Sequence, residues 1–226
     1  MAEVRVMGLD LAPANSGMCI IEAHPNSGYP AVSPTVLYQE ALSLFDNFSD
    51  RQRCSYYIYT KALEYKPDVI VIEGYVPSMG RFNTTAYQHA EFVALTKHRL
   101  LSAGFKIIIV PPTTMRSFVK IPPKQKDKGK QHIMSQMESI YGFKADYSRK
   151  KERSDVTDAF VHSIIGAHVY FALSGILDGE MVSHEKRIIL GDDNQEKKTA
   201  IVGLINRPEA YIGDWTSNGS TEESNS

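Results

Sequence analysis

The sequence predicts a mixed-sheet α/β domain, and three observations lead there. Residues 4–10 and 17–21 alternate as a strand and its hairpin partner around a turn containing Pro13, Asn15 and Ser16. Beyond Tyr38 the pattern changes from strands in meander to strands alternating with helical stretches, the arrangement of a sheet covered by helices. Two of the later strands, 68–73 and 106–110, are near-continuous apolar runs, as strands buried on both faces require.

Taken in order, the elements follow from local signals. Residues 35–38 make a third strand. A helix is expected over 49–65, with Ser49-Asp50 as its start signal and Pro67 beyond its end. The next, 84–102, carries Ala86, Ala90, Val93, Ala94 and Leu101 at helical spacing and stops before Gly104. Pro111-Pro112 closes the strand 106–110. Residues 121–130, with two prolines and a run of lysines, read as a solvated loop leading into a helix from about Gly129 to Tyr141. A last helix is expected from Ser154, a good N-cap, to about Leu173, with Gly175 after it. The domain therefore spans 1–175. Residues 176–226 form a C-terminal extension in which 181–190 and 199–205 are short strands or helices and 217–226 is polar enough to be disordered.

Composition narrows the class. A chain of 226 residues with 42% apolar and 23% charged residues can bury a full core, as one domain with appendages. No run of about 18 apolar residues is seen, so no membrane span is expected. The N-terminus enters a strand within three residues, without the features of a signal peptide, and the protein reads as cytoplasmic. Cys19 and Cys54 lack the spacing of a zinc site or redox pair and read as small, reduced core residues. The net charge of -1 hides an uneven distribution. Between Arg116 and Arg153 eleven lysines and arginines face four acids, whereas from Asp178 onward ten acids face five bases.

Four acids carry the chemistry. Asp10 closes the first strand and Glu73 closes the buried strand 68–73, so pairing of those strands brings them together. Asp155 and Asp158, spaced i, i+3 at the start of the last helix, project from one face. That helix is apolar on most sides, through Val156, Phe160, Val161, Ile164, Ile165, Val169 and Phe171, which marks it as buried. Burying an ionised carboxylate is costly unless something positive compensates, and the helix itself holds no lysine or arginine beyond Ser154. Bound cations are the simplest compensation. Oxygen-only ligation suits Mg²⁺ or Mn²⁺, and four carboxylates can hold two ions about 3.5–4 Å apart. Such a pair activates a water on one side of a phosphodiester and stabilises the leaving oxygen on the other, which is hydrolytic phosphodiester cleavage. Each acid has a plainer use when taken alone: Asp155 as part of a helix cap, Asp10 as a turn residue, Glu73 as a strand-end charge in water. Their joint placement favours the metal site. His162, one turn after Asp158, reads as a hydrogen-bonded core histidine.

The ordered stretches Gly8-Leu9-Asp10-Leu11-Ala12-Pro13-Ala14-Asn15-Ser16-Gly17, Ile72-Glu73-Gly74-Tyr75 and Ser154-Asp155-Val156-Thr157-Asp158-Ala159 resemble the three acidic motifs of the RuvC family of Holliday junction resolvases. The resemblance spans residue 4 to about 173. It implies a ribonuclease H-like mixed five-stranded sheet flanked by helices, four acids that bind the catalytic metals, and a homodimer that makes paired nicks across a four-way junction. It also implies that Lys130, in Lys128-Gly129-Lys130-Gln131, lies near the scissile phosphate, and that Tyr75 stacks at the junction centre. Ala12, where the family often has glycine, and the insertion over 23–33 depart from the pattern but leave the acids intact.

Branched DNA as partner requires a positive surface beside the metals. Arg116, Lys120, Lys124, Lys126, Lys128 and Lys130 supply one, and Arg149, Lys150, Lys151 and Arg153 extend it. Two other classes compete. A nuclease of the same fold acting on flaps, forks or hybrids shares every motif, and a non-catalytic junction-binding protein would not need all four acids. The actin and sugar-kinase group has a similar first phosphate loop but needs a second domain and a second glycine-rich motif, which are not found here.

Overall fold

A computed structural model describes residues 2–12, 15–43, 47–74, 84–119, 126–177, 188–189 and 211–212. Strands β1 (Val4–Asp10), β2 (Asn15–Pro25), β3 (Val32–Ser43), β4 (Val69–Glu73), β5 (Ile107–Val110) and β6 (Tyr211–Ile212) form one sheet in the order β3-β2-β1-β4-β5-β6. The pairs β1/β2, β2/β3 and β5/β6 are antiparallel, while β1/β4 and β4/β5 are parallel. This is the expected mixed five-stranded sheet, with a two-residue sixth strand added from the extension. Helices α1 (Phe48–Tyr65), α2 (Thr84–Ser102), α3 (Pro112–Phe118), α4 (Lys126–Tyr141) and α5 (Lys150–Leu173) flank it.

Alternation along the strands divides the core into two layers. On one side Val4, Val6, Val69 and Val71 pack with Val156, Phe160, Ile164 and other residues of α5. On the other, Met7, Leu9, Ile70 and Ile72 pack with Ile58 of α1 and Phe92 of α2. Asp10 and Glu73 fall in the alternation of the first set, so both acids belong to the face covered by α5.

Several boundaries differ from the sequence expectation, each for a physical reason. The β2/β3 hairpin is far longer than 17–21 paired with 35–38, because β3 is an edge strand and tolerates Pro34, whose missing N–H need not face a neighbour. The side chain of Asn47, not Ser49, caps α1 by accepting a hydrogen bond from Asp50 N at 3.0 Å. Pro112 opens α3 from the N1 position instead of merely ending β5. Helix α4 starts at Lys126, so Lys126, Lys128 and Lys130 lie on a helix and not in a loop. Helix α5 starts at Lys150, and Ser154 is no N-cap: it sits inside the helix and is 3% exposed. One helix, α5, is long and apolar enough by mean hydropathy to cross a membrane, but 89% of its most apolar window is buried inside the fold. Cys19 and Cys54 are buried and free.

Candidate active site

Parallel pairing of β1 and β4 places Leu9 opposite Ile72, so the next position sets Asp10 beside Glu73 at the carboxyl ends of both strands. The two carboxyl groups lie close enough that Asp10 is among the groups that act on the Glu73 pKa, and Glu73 among those that act on Asp10. Beyond Asp10 the chain turns back into β2. The Ser16 hydroxyl closes the turn, accepting from Ala12 N at 3.0 Å and donating to Ala12 O at 3.1 Å. From α2, His89 hydrogen-bonds to the backbone of Leu11, so the residue after Asp10 is held from the other layer as well.

Two glycines let α5 approach. Gly17, the register partner of Asp10, lies so close to α5 that a β-carbon there would stand 1.9 Å from the Asp155 carbonyl oxygen. At Gly8 a β-carbon would stand 2.0 Å from the Ala159 carbonyl oxygen. Glycine inside a strand marks this kind of backbone approach, a signal present in the sequence but not used there. Tyr147, in the segment leading into α5, ties that segment to the edge strand: its hydroxyl accepts from Ala41 N at 3.0 Å and donates to Gln39 O at 3.3 Å.

The helix backbone thus brings Asp155 and Asp158 over the ends of β1 and β4. Both are buried, at 4% and 8% exposure, and they occupy the second and third turns of α5, so Asp155 does not cap the helix. All four carboxyl groups hold their protons above the usual carboxylate range. Burial is the largest cause for Asp10, reinforced by the charges of Asp158, Glu73 and Asp155. Burial pushes Asp158 up to about 7, with Lys130 opposing and Glu73 and Asp155 adding to it. Glu73 and Asp155 are raised by burial and partly relieved by nearby cations. Among the described residues one ammonium stands among the acids: Lys130 Nζ is 3.5 Å from Asp155 Oδ1 and 4.0 Å from Asp158 Oδ2. Arg116, exposed on α3, lowers Glu73 and Asp158, and Lys151 lowers Asp155.

These residues fit a divalent metal. The donor set is all oxygen, the negative charge is under-compensated, and the buried Asp155 Oδ2 has no hydrogen-bond partner. Among the described residues the acids and histidine already at metal-ligand spacing are elsewhere: Glu3, Glu22 and His24, whose ligand atoms lie within 4.8 Å of one another. That trio is more exposed, sits at the opposite end of the hairpin, and is engaged by Arg5, 3.1 Å from Glu22 Oε2.

Of the remaining sequence candidates, Tyr75, Lys120 and Lys124 lie outside the described residues, and for Lys126 and Lys128 only the helical backbone is described. Arg149, Lys150 and Lys151 are exposed at the start of α5. His162 is a core residue as expected, but neither ring nitrogen has a hydrogen-bond partner, and burial holds its pKa down at about 4.

A mixed sheet of this order, with one long helix against the face that bears the acids, is the ribonuclease H-like fold. Among the solved structures that share it is RuvC. Thermus thermophilus RuvC, solved alone and in complex with a Holliday junction substrate, matches 76% of this chain and 97% of its own at a TM-score of 0.58 and 15% identity. The yeast mitochondrial Holliday junction resolvase matches 76% of this chain and 83% of its own at a TM-score of 0.48 and 12% identity. No protein-family model and no curated protein matches the sequence.

Proposed function

We propose that the chain is a divalent-metal-dependent DNA endonuclease that resolves four-way junctions by paired phosphodiester hydrolysis, acting as a homodimer through a nuclease domain over residues 1–175. The observation that carries this reading is the gathering of Asp10, Glu73, Asp155 and Asp158, drawn from two strands and one helix, at one end of the sheet beside Lys130. Structural adhesion does not account for four crowded acids with raised pKa values, since like charges brought together destabilise a fold.

Asp10, Glu73, Asp155 and Asp158 would hold Mg²⁺ or Mn²⁺, two ions per site. When bound, such ions activate a water for attack on phosphorus and stabilise the leaving oxygen. The chain supplies the rest. The two strand ends and the helix, seated by the glycine contacts, bring the four carboxylates to one end of the sheet. Lys130 and Arg116 present positive charge on the open side of the cluster, where a phosphate would lie. Arg149, Lys150 and Lys151, with Lys120, Lys124, Lys126 and Lys128, extend that charge along the DNA backbone, and Tyr75 would stack on a base at the branch point.

Four-way DNA is the first substrate to test because RuvC of the same fold has been solved with a Holliday junction. Flaps and forks are the rival substrates, since branch selectivity depends on dimer geometry and surface loops more than on the acids. Full-length protein is incubated with matched four-way, flap and fork substrates in Mg²⁺ or Mn²⁺, with Asp10→Asn alongside. Symmetric nicks in the junction that Asp10→Asn abolishes, while it still binds the junction, are expected. Equal cutting of flaps or forks would replace junction resolution by general branched-DNA cleavage, and wild-type cutting by Asp10→Asn would overturn the metal site.

A further inference from the structure

Lys130 holds a place that a lysine rarely occupies. Its side chain is 53% exposed, yet its ammonium reaches inward to two carboxylates that are 6% and 11% exposed. Arg116 acts on Glu73 and Asp158, and Lys151 on Asp155, but Lys130 acts on all four acids. The residue before it, Gly129, is buried, while Lys130 itself is exposed, so its side chain runs from a packed backbone past solvent to the acids. A long flexible stem anchored in this way can swing outward at little cost.

An ammonium lying between Asp155 Oδ1 and Asp158 Oδ2 and a divalent ion bound by the same pair compete for the same two carboxylates. Their charges repel at such short range. We infer that Lys130 is the resident counter-ion of the acid cluster, that a divalent ion enters at Asp155 and Asp158 by displacing it, and that the displaced ammonium is then free to meet a substrate phosphate. The role rests on the metal-dependent reading above and adds an order to it: metal entry first, phosphate contact by Lys130 second. It also gives Lys130 opposite effects on two measurements, since the same charge hinders the ion and helps the DNA.

The test is Mn²⁺ binding by calorimetry to the full-length protein without DNA, comparing wild type with Lys130→Gln, Lys130→Arg and Asp155→Asn. Removing a unit charge a few ångströms from the ligands is worth about one order of magnitude or more. Lys130→Gln is therefore expected to bind Mn²⁺ about tenfold tighter or better, with Lys130→Arg staying near wild type. In thermal melts the metal-free Lys130→Gln protein melts below wild type, and saturating Mn²⁺ closes the gap. A metal-free Lys130→Gln protein that fails to fold but is rescued by Mn²⁺ supports the same role. Equal or weaker Mn²⁺ binding by folded Lys130→Gln, with Asp155→Asn still losing the ion, overturns the exchange while leaving the metal site standing. A wild type with no Mn²⁺ binding sensitive to Asp155→Asn removes the metal site and the exchange together.

Discussion

The carbonyl oxygen of Asp155 rests on Gly17, with room for a hydrogen and for nothing larger. Gly17 is the β2 partner of Asp10, so this single contact sets how far the acids of α5 stand from the acid of β1. The same closeness recurs between Gly8 and Ala159, one helical turn further along, so that two points fix the line of the helix across the hairpin.

Replacing Gly17 by alanine drives a methyl group into helix backbone that has no flexible end to yield. The expected outcome is a loss of about 3 kcal/mol or more in denaturant unfolding, at the upper end of what overpacking costs, together with weaker Mn²⁺ binding. A Gly17→Ala protein as stable as wild type would mean that α5 is not seated on the hairpin in this way.

The crowded acids make metal-free stability depend on pH. Asp158 titrates near 7 in the folded protein against 3.8 when unperturbed. A raised folded pKa means that the folded state holds the proton more tightly, so the associated stability is present below about pH 4 and is lost as the pH rises through about 7. Asp158→Asn keeps the shape and removes the charge. Its metal-free melting temperature is expected to exceed that of wild type at pH 8, and by less at pH 5. His162, held at about 4, titrates in both proteins and largely cancels from the comparison. A difference between the two melts that does not vary with pH would contradict the crowding.

Arg116 is exposed, and its charge reaches Glu73 and Asp158. If it contacts a phosphate, Arg116→Ala weakens junction binding evenly across sequences and lowers the slope of log affinity against log salt by about one. Anisotropy titrations over a salt series measure this. An unchanged slope would remove Arg116 from the DNA surface.

How much of this could be read beforehand varied with the kind of signal. Strand β1 and helix α2 had their full bounds in the sequence, because alternation in one and helical spacing in the other ran uninterrupted to a clear stop. Asp10 and Glu73 were readable for the same reason, as acids at the ends of apolar runs. Helix α5 was read four residues short because Ser154 has the chemistry of an N-cap, whereas Arg149 holds that position with no side-chain hydrogen bond. The lysines of 126–130 read as a loop because their charge density and the prolines before them mask the start of helix α4 at Lys126. What no local pattern carries is tertiary: the glycine contacts under α5, the pairing of Tyr211 and Ile212 with β5, and the reach of Lys130 into the acids.

Anomalous scattering from Mn²⁺-soaked crystals tests the shared acid site most directly. Peaks are expected between Asp10, Glu73, Asp155 and Asp158, with the Lys130 ammonium moved away from Asp155 and Asp158. Manganese at Glu3, Glu22 and His24 alone, with the four acids still gathered around Lys130, would contradict a catalytic metal centre at the end of the sheet.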